Sequence, residues 1–499
     1  MPLIDAVATH ARSHPNQPAL WDLESERQWT YAALDATVDR LAAWLSDHLG
    51  AGSGSRVATL AKNCGEIVAL QLACVRAGAI FVPLNWRLAA AEITALAHDA
   101  APVLLFKDDD FEAPAAIPEV LPISVTLTLG HDGSKPPAQA RRPFEATSTL
   151  LYSSGTSGRP KGIMLSESNV FWGCVNFIYG CAVTRTSVFL CDMPLFHTAG
   201  LMAATRVPLQ AGACVLLTKG FDPTRTLHRL ANPELRVSHY FSVPQMAARL
   251  WNEPGFQPQS LRHIVAWAIG GAPNPKAQSE RFVNAGIRIS EGFGMSETGS
   301  NFGMPTQDID VLRRKAGSSG LPFMAIEAKI VDEEGHDVAA GEVGELLLRG
   351  PSITTGYWNQ PETTAKAFRD GWFCTGDAAR SDEDGFYYIV DRRKDMYISG
   401  GENVYPAEVE ATIAEVTAVA ECAIVGVPDE QWGEVGRAYI VPVAGATLTP
   451  DTIREHCLAR LAKYKIPKSI VVTDTLPRTA SGKVQKHILR QRALDELSG

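Results

Sequence analysis

Tyr152-Ser-Ser-Gly-Thr-Ser-Gly-Arg-Pro-Lys-Gly162 is the stretch on which the reading of this chain turns. Leu150 and Leu151 just before it end an apolar run, so the stretch leaves a strand. It carries the hydroxyls of Ser153, Ser154, Thr156 and Ser157, the glycines Gly155, Gly158 and Gly162, and Lys161. Glycines let backbone N–H groups wrap an anionic oxygen without Cβ clashes. Hydroxyls add donors, and the lysine adds a point charge suited to phosphate. A flexible Gly/Ser surface turn is the plain alternative, but ordinary turns seldom combine four hydroxyls with a terminal lysine. The stretch is not a Walker A loop. Counted from Gly155, that pattern wants Gly, Lys and Ser/Thr where this chain has Pro160, Lys161 and Gly162. The magnesium-binding hydroxyl is missing, so a bound triphosphate would draw its metal ligand from elsewhere in the chain.

Upstream, helical and strand patterns alternate. Tyr31–His48 sets Leu34, Val38, Leu41, Ala42 and Leu45 at helical spacing, and Val57–Leu60 follows as a strand. Then come a helix over Glu66–Ala77, a strand over Gly78–Leu84, a helix over Ala89–Ala100 and a strand over Val103–Phe106. Such alternation predicts right-handed crossovers on a parallel sheet. A polar stretch with Gly133, Pro136 and Pro137 then reads as an exposed connection. Downstream, Ser187–Cys191, Ala213–Leu217, His239–Ser242 and His263–Ile269 are short apolar strands.

Beyond about Gly320 the style changes to antiparallel strands: Ile326–Val331, Gly344–Leu348, Trp372–Cys374 and Phe386–Val390. Asp332–Gly335 and Ser381–Gly385 look like calcium loops but are short and bracketed by strands, so hairpin turns are expected. After Asp391-Arg-Arg-Lys-Asp395 comes a small pattern of its own. It has a strand over Met396–Ile398, a helix with Pro406 near its start, strands Ala420–Val425 and Ala438–Val443, a helix over Asp451–Leu461 and a strand over Ser469–Val472. The expected division is therefore 1–391 and 392–499. The fold class expected is α/β: a large N-terminal domain of α/β subdomains with a small β-rich subdomain, then a small mobile α+β C-terminal domain.

Composition narrows the function. At 499 residues, 45% hydrophobic and 20% charged, the chain is of globular type. A net charge of −9 argues against a nucleic-acid partner. Nine scattered cysteines without a Cys-x-x-Cys pair suit a reducing compartment, and a cytoplasmic location is expected. Met1–Ala6 lacks the features of a signal peptide, and no apolar run reaches transmembrane length. Arg313-Arg314-Lys315 reads as solvated charge.

Six motifs stand in order: the loop at 152–162, Pro194-Leu-Phe-His197, Gly270-Gly-Ala-Pro273, Gly292-Phe-Gly-Met-Ser-Glu297, Thr375-Gly-Asp377 and Pro477-Arg-Thr-Ala-Ser-Gly-Lys483. Each alone is weak. Together, over nearly the whole chain, they resemble the adenylate-forming superfamily of acyl-CoA synthetases, firefly luciferase and nonribosomal-peptide adenylation domains. The resemblance implies ATP, Mg2+ and coenzyme A. It assigns phosphate binding to Ser153, Ser154, Gly155, Thr156, Ser157, Gly158 and Lys161, and the metal to Glu297 beside Ser296, which stands where the family usually has Thr. Gly271, Ala272 and Pro273, with Glu291, Gly292, Phe293, Gly294 and Met295, would border the nucleotide, Phe293 replacing the common Tyr. Gly270–Pro273 follows an apolar strand, the end at which α/β sheets bind ligands.

Asp377, which reads as a carboxylate in a short turn, would accept hydrogen bonds from the ribose hydroxyls, with Arg392 beside it, although Asp391 replaces the family's usual Gly. For either residue alone a surface ion pair is the alternative. Lys483 would contact carboxylate and α-phosphate. Two anions must meet there, so fixed cations are needed. Lys394 matches the hinge about which the C-terminal domain turns to present Ser399, Gly400 and Gly401 to the pantetheine arm, with Trp432 at its entry. Lys463 and Lys465 are candidates for the CoA phosphates by position alone. His197 would gate a carboxylate pocket built from Ser242, Val243, Pro244, Ala268, Gly270, Met295 and Phe302. A structural histidine is the alternative. The pocket set is small or apolar with no Arg or Lys, so a fatty or aromatic monocarboxylate is expected, medium-chain and cinnamate-like acids alike. The expectation is an AMP-forming acid–CoA ligase, monomer or homodimer, with no transmembrane segment. Its rivals are an enzyme loading a carrier-protein thiol, a luciferase-like oxygenase and a non-catalytic nucleotide-binding regulator.

Overall fold

A computed structural model describes residues 4–153, 161–272, 274–392, 395–399, 402–429, 432–479 and 482–498. Contacts divide the chain into two units. One comprises Met1–Gly271, Arg281–Glu327 and Arg349–Phe373; the other comprises Ala272–Glu280, Ala328–Leu348 and Cys374–Gly499.

The first unit holds two sheets. The six-stranded sheet runs in the order Glu119–Pro122, Leu104–Lys107, Arg56–Leu60, Ile80–Pro83, Thr147–Ser153, Lys161–Ser166. Its pairs are parallel except the last, which is antiparallel. The expected parallel alternation is thus present. The nine-stranded sheet has a parallel centre of Ile289–Met295, Ala266–Ile269, His239–Ser242, Val188–Cys191, Cys214–Leu217 and Pro18–Asp22. Pro18–Asp22 and the antiparallel Arg27–Thr30 beside it escaped the sequence reading. They are short, and their polar ends Gln28 and Arg27 mask the alternation.

Helix Gly65–Ala77 explains how the sheets share a core. Ile67, Val68, Leu70, Leu72 and Cys74 cover its whole girth, and all are buried. A helix that is apolar all round must lie inside. It packs on Tyr31–Leu49, whose cap Thr30 accepts the Ala33 N–H. The same cluster includes Val57 and Phe81 of one sheet with Phe189 and Val215 of the other. The one buried cation of Gly65–Ala77, Arg76, is matched by Asp5, Asp35 and Asp39 at 2.6–2.8 Å. Gly78 closes the helix at φ 69°, so the expected strand over Gly78–Leu84 begins only at Ile80.

In the second unit, strand Val419–Asp429 alternates between two cores. Ile424 faces Val409, Ile413, Ile453 and Cys457, while Ala423, Val425 and Val427 face Leu476, Leu489 and Ala493. Its antiparallel partner is Gly433–Pro442, and Gly426 lies opposite Gly436. The Tyr397 side chain crosses that glycine pair: a Cβ on Gly426 would come 2.3 Å from its Cβ, and one on Gly436 2.3 Å from its hydroxyl. Helices Pro406–Ile413, Pro450–Leu458 and Lys486–Ser498 complete this α+β pattern. Asp332 and Asp382 sit in hairpin turns closed by the Gly335 and Gly385 N–H groups, as expected. Strands Trp372–Ser381 and Val419–Asp429 are longer than their apolar runs because cross-strand pairing carries them on.

Candidate active site

The loop that opens the sequence reading closes a hairpin. Ser153 pairs with Lys161 at its mouth, while Ser154, Gly155, Thr156, Ser157 and Gly158 lie outside the described residues, as does the Ser153 side chain. Gly162 has a packing reason of its own. A Cβ there would stand 3.1 Å from both the Tyr152 ring and Trp358. The Tyr152 hydroxyl donates to Asp99 Oδ2 at 2.6 Å, and burial followed by that carboxylate pushes its pKa well up.

Glu297 lies between strands Ile289–Met295 and Gly299–Gly303. Gly292, Phe293, Gly294 and Met295 therefore belong to a strand rather than a turn, and only Ser296–Thr298 forms the bend. The hairpin is tight: a Cβ on Gly294 would meet the Gly299 carbonyl at 2.3 Å. Thr298 braces the bend, donating to Asn301 Oδ1 at 2.5 Å and accepting the Met295 N–H at 3.2 Å. Ser296 is part-exposed, and Glu297 is 9% exposed. Glu291 accepts the Gly317 N–H at 3.2 Å.

One segment stitches these two pieces together, and the sequence reading missed it. Ser352–Trp358 binds the strand that starts at Lys161: Met164 N–H donates to Gly356 at 3.1 Å, Trp358 N–H to Gly162 at 2.7 Å, and Thr354 Oγ1 to Met164 at 2.6 Å. The same segment grips the Glu297 bend. Thr354 N–H donates to the Glu297 carbonyl at 2.6 Å and Ser352 Oγ to the Thr298 carbonyl at 2.8 Å. Tyr357 completes the link. Its ring centroid lies 5.0 Å from Lys161 Nζ, and its hydroxyl donates to Glu297 Oε1 at 3.1 Å. The only available sign in the sequence was a run of small and hydroxyl residues ending in Gly356-Tyr-Trp358.

The residues expected to line the carboxylate pocket stand on three parallel strands in register. Phe241 stands opposite Ala268, and Ala268 opposite Ser290. Their carboxyl ends, Val243, Gly270 and Gly292, thus lie along one edge. Gly270 has Phe241, which the sequence reading overlooked, at 3.4 Å from a would-be Cβ. Gly271 needs its glycine at φ 84°. Ala268 and Phe302 are buried, and Phe302 meets Phe293 with ring centroids 5.9 Å apart. Ala272 is part-exposed, and Pro273 lies outside the described residues. Asn63 fixes Pro194–His197: its amide donates to the Met193 carbonyl and accepts the Leu195 N–H, both at 2.9 Å. His197 packs edge-on to Phe196 at 4.6 Å.

Asp192, just before this segment, is buried, and burial pushes its carboxyl up. Thr218, Thr226 and Tyr240 donate to it at 2.7, 2.6 and 3.2 Å. His239 stacks on Phe189 at 4.7 Å. Its Nε2–H donates to the Cys181 carbonyl at 2.9 Å, and Ser238 Oγ lies 2.9 Å from Nδ1. Burial lowers its pKa to about 4, so the ring is neutral.

In the second unit, Asp377 is not in a short turn. It is buried within strand Trp372–Ser381, directly opposite Arg392, whose side chain lies outside the described residues. Gly376 at φ 71° and the Thr375 hydroxyl, which accepts the Asp377 N–H at 3.0 Å, set its backbone. Lys483 is exposed in a turn in which Thr479 N–H donates to the Lys483 carbonyl at 2.8 Å. Ser399 is buried and pairs with Glu402 and Gly433, whereas Trp432 is 45% exposed. Lys463 is exposed, but Lys465 reaches both oxygens of Glu408 at 2.7 Å, so a phosphate would have to displace a carboxylate there. Lys394, Gly400 and Gly401 lie outside the described residues.

Glu297 suits a magnesium ion. It is a hard oxygen ligand with one oxygen fixed by Tyr357. Magnesium needs only one or two carboxylates when phosphates supply further oxygens.

Comparison with known proteins follows this geometry. The AMP-binding enzyme profile matches residues 7–358, and the AMP-binding enzyme C-terminal domain matches residues 408–483. A feruloyl-CoA synthase of Amycolatopsis sp is 38% identical over 93% of this chain and 94% of its own. An indoleacetate–CoA ligase of Aromatoleum aromaticum is 35% identical over 98% of both chains. Among solved structures, o-succinylbenzoate CoA synthetase from Bacillus subtilis is similar in its complex with the acyl-adenylate intermediate, with TM-score 0.89, 31% identity and 98% of both chains covered. Its complex with ATP and magnesium gives TM-score 0.88, 30% identity and 99% of both. With that profile matched across most of its length and such relatives aligned along more than nine-tenths of it, this chain belongs to the AMP-binding enzyme family.

Proposed function

We propose that the chain is an ATP-dependent carboxylic acid–CoA ligase for an aryl-substituted monocarboxylate, working with magnesium in the cytoplasm as a monomer or homodimer. The observation that carries the reading is the Lys161–Tyr357–Glu297 array: a phosphate-seeking cation and a metal-seeking carboxylate held on one frame. Lys161 and the hydroxyls of 153–157 grasp the polyphosphate. Asp377 accepts from the ribose hydroxyls with Arg392 opposite. His197 gates the carboxylate. The carboxylate oxygen attacks the α-phosphorus, the bond to the bridging oxygen breaks and pyrophosphate leaves. Lys483 offsets the charge that gathers on the phosphoryl oxygens. Glu297 would hold magnesium, which would supply Lewis-acid neutralisation of the same charge. The chain then turns about Lys394. Ser399, Gly400, Gly401 and Trp432 line the approach of the CoA thiol, whose sulfur attacks the acyl carbon. AMP leaves and the thiol proton passes to solvent.

The aromatic class is favoured by the apolar, small-residue walls: Phe241, Val243, Gly270 and Phe302, with no Arg or Lys. The relatives named for feruloyl and indoleacetate substrates point the same way. The test is pyrophosphate release with ATP and magnesium across cinnamic, benzoic, arylacetic and medium-chain fatty acids. CoA and a phosphopantetheinylated carrier protein are offered as acceptors in parallel. The reading expects turnover with an aryl acid and CoA at least ten-fold above every fatty acid. Turnover confined to fatty acids, or to the carrier protein, overturns it.

A further inference from the structure

We propose that Tyr357 is a positioning residue that keeps Lys161 and Glu297 apart and aims the Glu297 carboxylate at the metal. The inference rests on the reading of Glu297 as the metal ligand.

Tyr357 is 7% exposed and wedged between opposite charges. Its face carries the Lys161 ammonium at 5.0 Å, a cation–π contact. Its edge donates a hydrogen bond to Glu297 Oε1 at 3.1 Å. No ion pair joins Lys161 to Glu297, and among the described residues Tyr357 is the one side chain hydrogen-bonded to that carboxylate. A carboxylate offers about four lone-pair sites, so Oε2 keeps its capacity for a metal. Remove the ring and a part-buried lysine and a buried glutamate are free to pair with each other. Each would then be lost to phosphate or metal. The ring is thus a spacer, and the hydroxyl is an outer partner of the kind that orients a metal-binding group.

The placement is stiff. Tyr357 N–H donates to Thr364 Oγ1 at 2.9 Å, and Tyr357 bridges to Ile163 on the strand from Lys161. Gly356 before it sits at φ 143°, where a Cβ would lie 2.4 Å from Thr364. The backbone that carries the ring is therefore set by Thr364 and by the Lys161 strand.

The test is equilibrium ATP binding by the full chain, measured by calorimetry as magnesium is titrated, and repeated with EDTA. Tyr357→Phe keeps the spacer and loses the aim. Its half-saturating magnesium should rise about ten-fold, with ATP binding in EDTA unchanged. Tyr357→Ala should raise it further and weaken binding in EDTA as well. Glu297→Gln should shift the magnesium dependence by itself, and adding Tyr357→Phe to it should change nothing more. A shift in Glu297→Gln without one in Tyr357→Phe overturns the inference and leaves the reading of Glu297 standing. No shift in either overturns that reading too. Additive shifts, or a Tyr357→Phe protein that also loses binding in EDTA, show that the hydroxyl acts some other way and overturn the inference.

Discussion

At Glu297 a carboxylate accepts from a tyrosine on one oxygen and leaves the other to the proposed metal; at His239 burial holds an imidazole neutral. The two show how burial sorts titratable groups. His239 spends Nε2–H on the Cys181 carbonyl and meets the Ser238 hydroxyl at Nδ1, and burial without a carboxylate partner penalises the charged ring. With the folded pKa lowered to about 4, the unfolded chain takes up a proton below about 6.5 while the folded one does not. Stability from His239 is thus complete above pH 6.5 and is lost as pH falls towards 4, up to about 3 kcal/mol in all. His239→Gln retains a donor for Cys181 and has nothing to titrate. The thermal midpoint of the wild type should therefore fall more steeply than that of the variant between pH 7 and 4.5. Parallel slopes would contradict the assignment. Burial raises eight of the nine thiols, seven of them to about 11 or higher or well above the ordinary value, so these eight are inert packing groups.

Among the elements, Ser352–Trp358 has the largest effect for its length. It is neither a helix nor a labelled strand, yet its backbone joins the Lys161 strand to the Glu297 bend. Thr354 is the pin. Its hydroxyl donates to the Met164 carbonyl and accepts the Gly356 N–H at 3.1 Å. Thr354→Val keeps the shape and orphans both groups, which should cost about 1–3 kcal/mol of stability. Magnesium-dependent ATP binding should weaken with it, because the frame that holds Lys161 and Glu297 in register loosens. Chemical denaturation and calorimetry on one preparation check both. A variant as stable as the parent with intact ATP binding would remove the segment from the site. The Tyr397 ring plays a comparable part in the second unit, filling the groove that Gly426 and Gly436 leave and anchoring the strand that ends at Ser399.

For the whole molecule, the proposed reaction needs Lys483 in adenylation and not in thioester formation. Lys483→Ala should lower acid-dependent pyrophosphate release about 100-fold or more, while conversion of supplied acyl-adenylate to the thioester persists. Equal loss of both half-reactions would overturn the division of labour. Much of this molecule was legible before any coordinates. Parallel alternation of apolar strands and helices, turns at Asp332 and Asp382, and six ordered motifs required only local pattern, because hydrophobic period and turn chemistry act over a few residues. Three features did not. Asp377 reads as a loop residue and lies in a strand, since cross-strand hydrogen bonds from a distant segment override its local polarity. Gly162 reads as a phosphate contact and also makes room for Tyr152 and Trp358. Tyr357, nearly two hundred positions beyond Lys161, reads as nothing in particular. Sequence alone determined which chemical groups stand in the motifs proposed to meet nucleotide and acid. Tertiary structure decided how they are spaced, because a carboxylate and an ammonium take their distance and aim from packed neighbours that no local pattern encodes.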